Sequence, residues 1–210
     1  MNQSDITSPE LAAVELDGIS RASFILRGTL AAGAMYGATA VAPFVSSAFA
    51  ASGTSDLDIL NFALTLEYLE ADFYKVKGKA VHLSGDAKAL ARSFGDEEAE
   101  HVTALMKAIT GSGGTPVKKP KFAFPVTDEK SFLKLAYVLE NTGVGAYNGA
   151  APSISNSSLL AAAGSIVQVE ARHAAAIALL TGSKITPDGA FDKPLTTKQV
   201  LAKAGPLIKK

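Results

Sequence analysis

The sequence has no cysteine and no tryptophan, and only 7% of its residues are aromatic. Without cysteine, disulfides, thiolate zinc sites, iron–sulfur clusters and cysteine nucleophiles are all excluded. Scarce aromatics beside abundant alanine suit closely packed helices better than a β sandwich. Neither sign of charge is in excess: 20 Lys and Arg balance 20 Asp and Glu. A nucleic-acid partner would need a basic surface, so that class is set aside. The one basic cluster, Lys118-Lys119-Pro120-Lys121, sits in a Pro/Gly-rich stretch and reads as a solvated loop. Histidine is scarce too, with 3 in 210 residues. What is plentiful is apolar residue, 48% of the chain, enough for one compact domain with a real core and an additional segment.

That segment is N-terminal. From Ser20 to Ala50 the chain is rich in Ala and Gly, follows Arg21 and Arg27 with an apolar run, and ends in Ala48-Phe49-Ala50. Basic residues, an apolar stretch and a small-x-small site are the grammar of an export signal. The stretch is similar to a twin-arginine signal, with Ala22 where the second arginine would stand. An uncleaved anchor over Gly28 to Ser46 is the competing reading, but Pro43, Ser46-Ser47 and the Ala-x-Ala site interrupt a longer span. The expectation is therefore a signal over residues 1–50, cleaved near Ala50. The mature protein then acts in the periplasm or outside the cell, with no stable membrane span.

From Asp56 onward apolar residues recur at helical spacing. One helix starts at an N-cap of Ser55 or Asp56 and runs to about Lys77. Ser84-Gly85-Asp86 breaks the chain before a second, which stops at the Gly-rich run from Gly111 to Pro116. Pro116, Pro120 and Pro125 make the following stretch an extended crossover. A third helix opens at Thr127 or Asp128, and a fourth follows Pro152 and ends at Gly182. No strand-period segment of useful length appears. Two short connections flanking a long one predict an all-α fold, a four-helix bundle of two hairpins over residues 51–182 with the second and third helices parallel. Residues 183–210 form a tail with one short helix after Thr196.

The histidines now matter. Glu98 and His101 stand three apart in the second helix, and Glu170 and His173 stand three apart in the fourth. The first and third helices each offer one glutamate in an apolar stretch, Glu67 and Glu140, followed seven residues later by Tyr74 and Tyr147. Glu67 precedes Glu98 by 31 positions and Glu140 precedes Glu170 by 30, so the chain repeats a Glu…Tyr helix and a Glu-x-x-His helix twice. Residues three apart share a helix face, so each Glu/His pair projects together. One Glu from each of two helices plus Glu-x-x-His from each of the other two is the inward ligand set of a dinuclear carboxylate site. Two divalent cations would neutralise the four carboxylates, and oxygen and imidazole donors suit iron or manganese. Periodicity places Glu98 and Glu170 as bridges and Glu67 and Glu140 as terminal ligands.

At these residues the chain resembles the ferritin-like superfamily of di-iron and di-manganese proteins. The stretches LNFALTLEYLEADFY, EEAEHV and LENTGVGAYNGA are similar to exported ferritin-like domain proteins grouped with desiccation-related proteins. The resemblance covers Asp56 to Gly182 and the tail FDKPLT. It implies a four-helix bundle with two metal ions, iron first and manganese second, at Glu67, Glu98, His101, Glu140, Glu170 and His173. It leaves the reaction open. A hollow iron-storage shell does not fit the signal segment and the lack of an evident fifth long helix.

Other residues carry two readings each. Tyr74 and Tyr147 lie about two turns, roughly 10 Å, from their own glutamates, and suit either hydrogen-bond donors or radical quenchers around the metals, or plain core residues. Glu70 and Asp72 read as outward or outer-sphere groups, and His82 as a surface residue beside a turn. Gly143 and Gly145 serve close packing or leave room for a small oxidant. Three functions remain. The first is a di-iron ferroxidase or oxidative-stress oxidoreductase handling Fe(II) with oxygen or peroxide. The second is a dimanganese catalase-like enzyme. The third is a non-catalytic, stress- or desiccation-protective envelope protein. A homo-oligomer is compatible with each.

Overall fold

The computed structural model describes residues 55–209, so the export-signal expectation lies outside the described residues. Four long helices come first: α1 (Asp56–Ala80), α2 (Gly85–Gly111), α3 (Glu129–Ala150) and α4 (Ser157–Thr181). A short α5 (Thr197–Ala204) follows, and single 3-10 turns cover Ala151–Ser153 and Gly205–Leu207. No helix among the described residues is long and apolar enough to cross a membrane. The described residues are helical, as the composition indicates, with an isolated antiparallel bridge between Phe122 and Ile208.

Local chemistry sets the helix starts. Ser55 and Asp58 form a capping box on α1, the Ser55 side chain accepting from Asp58 N–H and the Asp58 carboxylate accepting from Ser55 N–H. Asp128 and Ser131 do the same for α3, and Thr196 with Gln199 for α5. Asn156 caps α4, which ends at Gly182 in the left-handed region with φ 66°. Helix α1 continues one turn beyond Lys77, where Lys77 and Lys79 sit favourably at the negative end of the helix dipole.

The most extensive packing is α1 on α2 and α3 on α4, the two hairpins formed by the short links 81–84 and 151–156. Residues 112–128 carry the chain across between hairpins. Two apolar clusters fill the bundle. One is aromatic, with Phe73 stacked on Phe132 at 4.7 Å and Phe94, Leu139 and Ile177 around them. The other is aliphatic and gathers Ile59, Leu64, Leu105, Ile109 and Ile166. On α2 and α4 the glutamates and histidines lie between these two clusters, and on α3 Glu140 lies between Leu139 of the first and Tyr147 of the second. On α1 Glu67 sits between Leu66 and Leu69 of the first, just beyond Leu64 of the second. The polar cluster is thus enclosed at both ends by hydrocarbon.

The tail is strapped onto α3. Leu195 N–H donates to Gly145 O at 2.8 Å. A Cβ on Gly145 would stand 2.6 Å from Leu195 Cγ, and one on Gly149 would stand 2.0 Å from Leu195 O. Farther on, Ala123 N–H donates to Leu207 O and Lys209 N–H to Lys121 O, both at 2.8 Å, tying the crossover to the chain's end. Gly145 therefore serves close packing. Gly149→Ala is expected to displace the strap and destabilise the protein by about 1–3 kcal/mol, as overpacking does, read as a lower urea midpoint. An unchanged midpoint would mean that the strap contributes nothing.

Candidate metal centre

Each long helix delivers its expected carboxylate to the space between the clusters. Glu67 comes from α1, Glu98 and His101 from α2, Glu140 from α3, and Glu170 and His173 from α4. All four glutamates have no solvent exposure, and His173 is 1% exposed. His101 is the most accessible of the six, its side chain 12% exposed. The six fall into two overlapping groups whose potential ligand atoms lie within 4.8 Å of one another. The first is Glu67, Glu98, His101 and Glu170, and the second is Glu98, Glu140, Glu170 and His173. Glu98 and Glu170 belong to both.

Both imidazoles turn Nδ1 to the carboxylates. His101 Nδ1 lies 3.0 Å from Glu98 Oε2 and 3.2 Å from both Glu67 Oε2 and Glu170 Oε1. His173 Nδ1 lies 3.0 Å from Glu98 Oε1 and 3.2 Å from Glu140 Oε2. Burial pushes the Glu67 carboxyl up to about 8, against the pull of His101. Burial also raises Glu140, and raises Glu70 and Glu170 strongly, with neighbouring carboxylates adding to the effect on Glu70 and Glu170. Glu98 is the exception. Burial would raise it, but its bonds to both histidines outweigh that and hold it near 2. The two histidines are pulled down by burial and lifted further by the carboxylates, His101 to about 12 and His173 to about 11.

This many buried carboxylates cannot be satisfied by two imidazoles. Glu170 Oε2 and Glu70 Oε2 have no hydrogen-bond partner, and Glu98 Oε1 and Glu170 Oε1 face only an imidazole nitrogen, at 3.0 and 3.2 Å. A buried ionised oxygen in that condition costs several kcal/mol. The donors fit a pair of divalent cations: oxygen and imidazole ligands match iron or manganese. Four carboxylates would balance two doubly charged ions once the imidazoles are neutral.

The tyrosines reach across the bundle. Tyr74 on α1 donates its hydroxyl to Glu140 on α3, and Tyr147 on α3 donates to Glu67 Oε1 on α1 at 2.5 Å. Each tyrosine thus serves the glutamate of the other hairpin, two turns from its own, while its ring packs in the core. Both are core residues whose hydroxyl has a partner.

Two further carboxylates belong to the site and were not singled out for it. Glu97 Oε2 lies 2.5 Å from His173 Nε2, so the ring is gripped from outside while Nδ1 faces inward and Phe94 stacks on it at 3.9 Å. A carboxylate on the far nitrogen is how metal-binding histidines are oriented. Adjacent Glu97 and Glu98 in sequence carry no hint of this, because it depends on how α2 packs on α4. Glu70, expected to point outward or lie outside the ligand sphere, is 3% exposed and packed inward. Its signal was in the repeat. Glu67 and Glu140 differ by 73 positions, which pairs Glu70 with Gly143. A Cβ on Gly143 would lie 2.9 Å from Glu170 Oε2 and 3.5 Å from Glu70 Oε1. The missing side chain on α3 is the space that the extra carboxylate on α1 shares. Gly143 therefore leaves room for ligand-bearing groups, unlike Gly145.

Asp72 instead pairs with Lys119 of the crossover loop, and His82 is exposed.

The comparisons with known proteins agree with the fold. The fold is shared with a solved structure, a conserved hypothetical protein from Mycobacterium tuberculosis, at TM-score 0.56 and 17% identity. The match covers 62% of this chain and 99% of that one. No curated protein matches the sequence. The profile of the ferritin-like domain matches residues 55–183, which is more than half of the chain and contains all four long helices. The chain belongs to the ferritin-like domain family.

Proposed function

We propose that the protein is an exported dinuclear metalloprotein that oxidises Fe(II) with dioxygen or peroxide, holding two iron ions in its bundle. The observation that carries this reading is the pair of overlapping carboxylate–imidazole groups sharing Glu98 and Glu170. Those two residues would bridge the ions. Glu67 and His101 would complete one position, Glu140 and His173 the other. Bound iron supplies one-electron redox chemistry at each position, which the side chains alone cannot.

The chain's own groups do the positioning. Tyr147 and Tyr74 hold one oxygen of Glu67 and of Glu140, leaving the other free to turn inward. Their own hydroxyls are pushed well above the ordinary tyrosine range by burial, so they stay protonated as donors. Glu97 fixes the orientation of His173. The apolar clusters above and below exclude bulk water, which strengthens every charge interaction between them. Export rests on the signal grammar of the segment ending Ala48-Phe49-Ala50.

The test is metal analysis of the purified protein followed by stopped-flow oxidation of Fe(II). Two irons per chain and oxidation faster than in buffer are the expected results. Manganese with peroxide dismutation would assign the catalase-like chemistry instead. Metal that binds without turnover would leave a structural role.

A further inference from the structure

Below the carboxylates, within the aliphatic cluster, lies an apolar cavity of about 50 Å³. All four long helices line it. Its walls are formed by Leu66, Leu105, Ala146, Ala163 and Ile166 among other apolar residues, and Tyr147 is the sole polar side chain on the lining. Ala104 of α2 and Ala162 of α4 also line it and are exposed, so it reaches the surface between those helices.

Its link to the first carboxylate group is Tyr147. Leu66 adjoins Glu67 in sequence, Leu105 lies one turn beyond His101, and Ile166 lies one turn before Glu170 on the same helix face. Tyr147, which donates to Glu67, stands between the cavity and that glutamate. The cavity therefore leads from the surface to the tyrosine that holds Glu67.

Size and polarity select the occupant. An apolar cavity that takes benzene measures about 150 Å³, so this one is of a size for a diatomic gas. Hydrogen peroxide carries two O–H groups, and the one polar side chain on the lining, the Tyr147 hydroxyl, offers its oxygen as acceptor to one of them, which leaves the other without a partner. An unpartnered hydroxyl in an apolar space is disfavoured, whereas an apolar gas loses nothing on leaving water. We infer that this cavity is a gas-binding and access site, which delivers dioxygen, not peroxide, to the Glu67–His101 side of the centre. The delivery role rests on the functional reading above; the gas site does not.

Two measurements test it. Metal-free protein titrated with xenon and followed by 129Xe NMR should show one saturable site, lost in Ala163→Leu, which fills the cavity. In iron-loaded protein, Ala163→Leu should slow oxidation by dioxygen by about tenfold, the scale on which one filled methylene space discriminates, and leave oxidation by peroxide unchanged. Ala104→Phe at the exposed mouth should slow the dioxygen reaction alone, and it keeps the test open should Ala163→Leu fail to fold. No saturable xenon site, or equal dioxygen rates in the wild type and in folded variants, would overturn the inference. Saturable xenon binding with no iron oxidation by either oxidant would overturn the functional reading and the delivery role together, while the gas site stands.

Discussion

Glutamine in place of both Glu98 and Glu170 is expected to leave the protein folded and without bound metal. These two residues are the ones common to both carboxylate–imidazole groups. Losing them leaves Glu67 with His101 on one side and Glu140 with His173 on the other, two ligands each. Outer partners of ligands are worth about 10–100-fold in affinity, and removing both shared ligands should exceed that. Glutamine keeps the volume, so no cavity opens. It also removes like charge from a core where Glu170 Oε2 has no partner. Glu98, however, is bonded to both imidazoles, and removing one partner of a buried ion pair is destabilising, so the metal-free melting temperature should fall while the protein stays folded. Glu67→Gln is the control. It touches one group only, so about one ion should remain. Full metal content in the double variant, or equal loss in both variants, would sink the assignment of Glu98 and Glu170 as shared ligands.

The metal-free protein should lose stability as pH rises from about 5.5 to about 8.5. Glu67, pushed by burial from 4.5 up to about 8, binds its proton more tightly when folded than when unfolded. The stability this supplies is present at low pH and lost as pH rises from 4.5 through 8. His101 and His173 act in the same direction. Burial lowers them, but the surrounding glutamates lift them to about 12 and about 11. Their contribution is complete below the unfolded value of 6.5 and drains away above it. Glu98, held near 2, has the opposite sign, but its contribution is already complete above 4.5 and does not change in this window. Calorimetry should show a melting temperature falling by several degrees, since 1 kcal/mol is worth about 2–4 °C in a domain of this size. Metal should reverse the trend. Ligation needs ionised carboxylates and neutral imidazoles, so stabilisation by added metal grows with pH. A metal-free melting temperature that rises over this range would show that the cluster does not hold protons in place of metal.

Much of this was readable in the order of residues. Glu-x-x-His in two helices and Glu with Tyr seven residues on in two others set a register that the bundle obeys, because helical periodicity is local and 3.6 residues per turn leaves little freedom. Capping chemistry at Ser55, Asp128 and Thr196 is local as well, and each begins a helix where expected. What escaped was reach across helices. The seven-residue spacing tied Tyr74 to Glu67, whereas Tyr74 serves Glu140. Glu97 reaches His173 only because α2 packs against α4.

The sequence by itself determined the all-helical class, the hairpin connectivity and the six residues that meet at the centre, since periodicity, caps and breakers act over one or two turns. Only the tertiary structure decided how that centre is completed. It turned Glu70 inward against the space left by Gly143, gave each tyrosine to the opposite hairpin, set Glu97 on His173, and opened an apolar cavity beneath Tyr147. Those features arise where side chains from different helices compete for the same few ångströms, and no spacing along one chain segment encodes that competition.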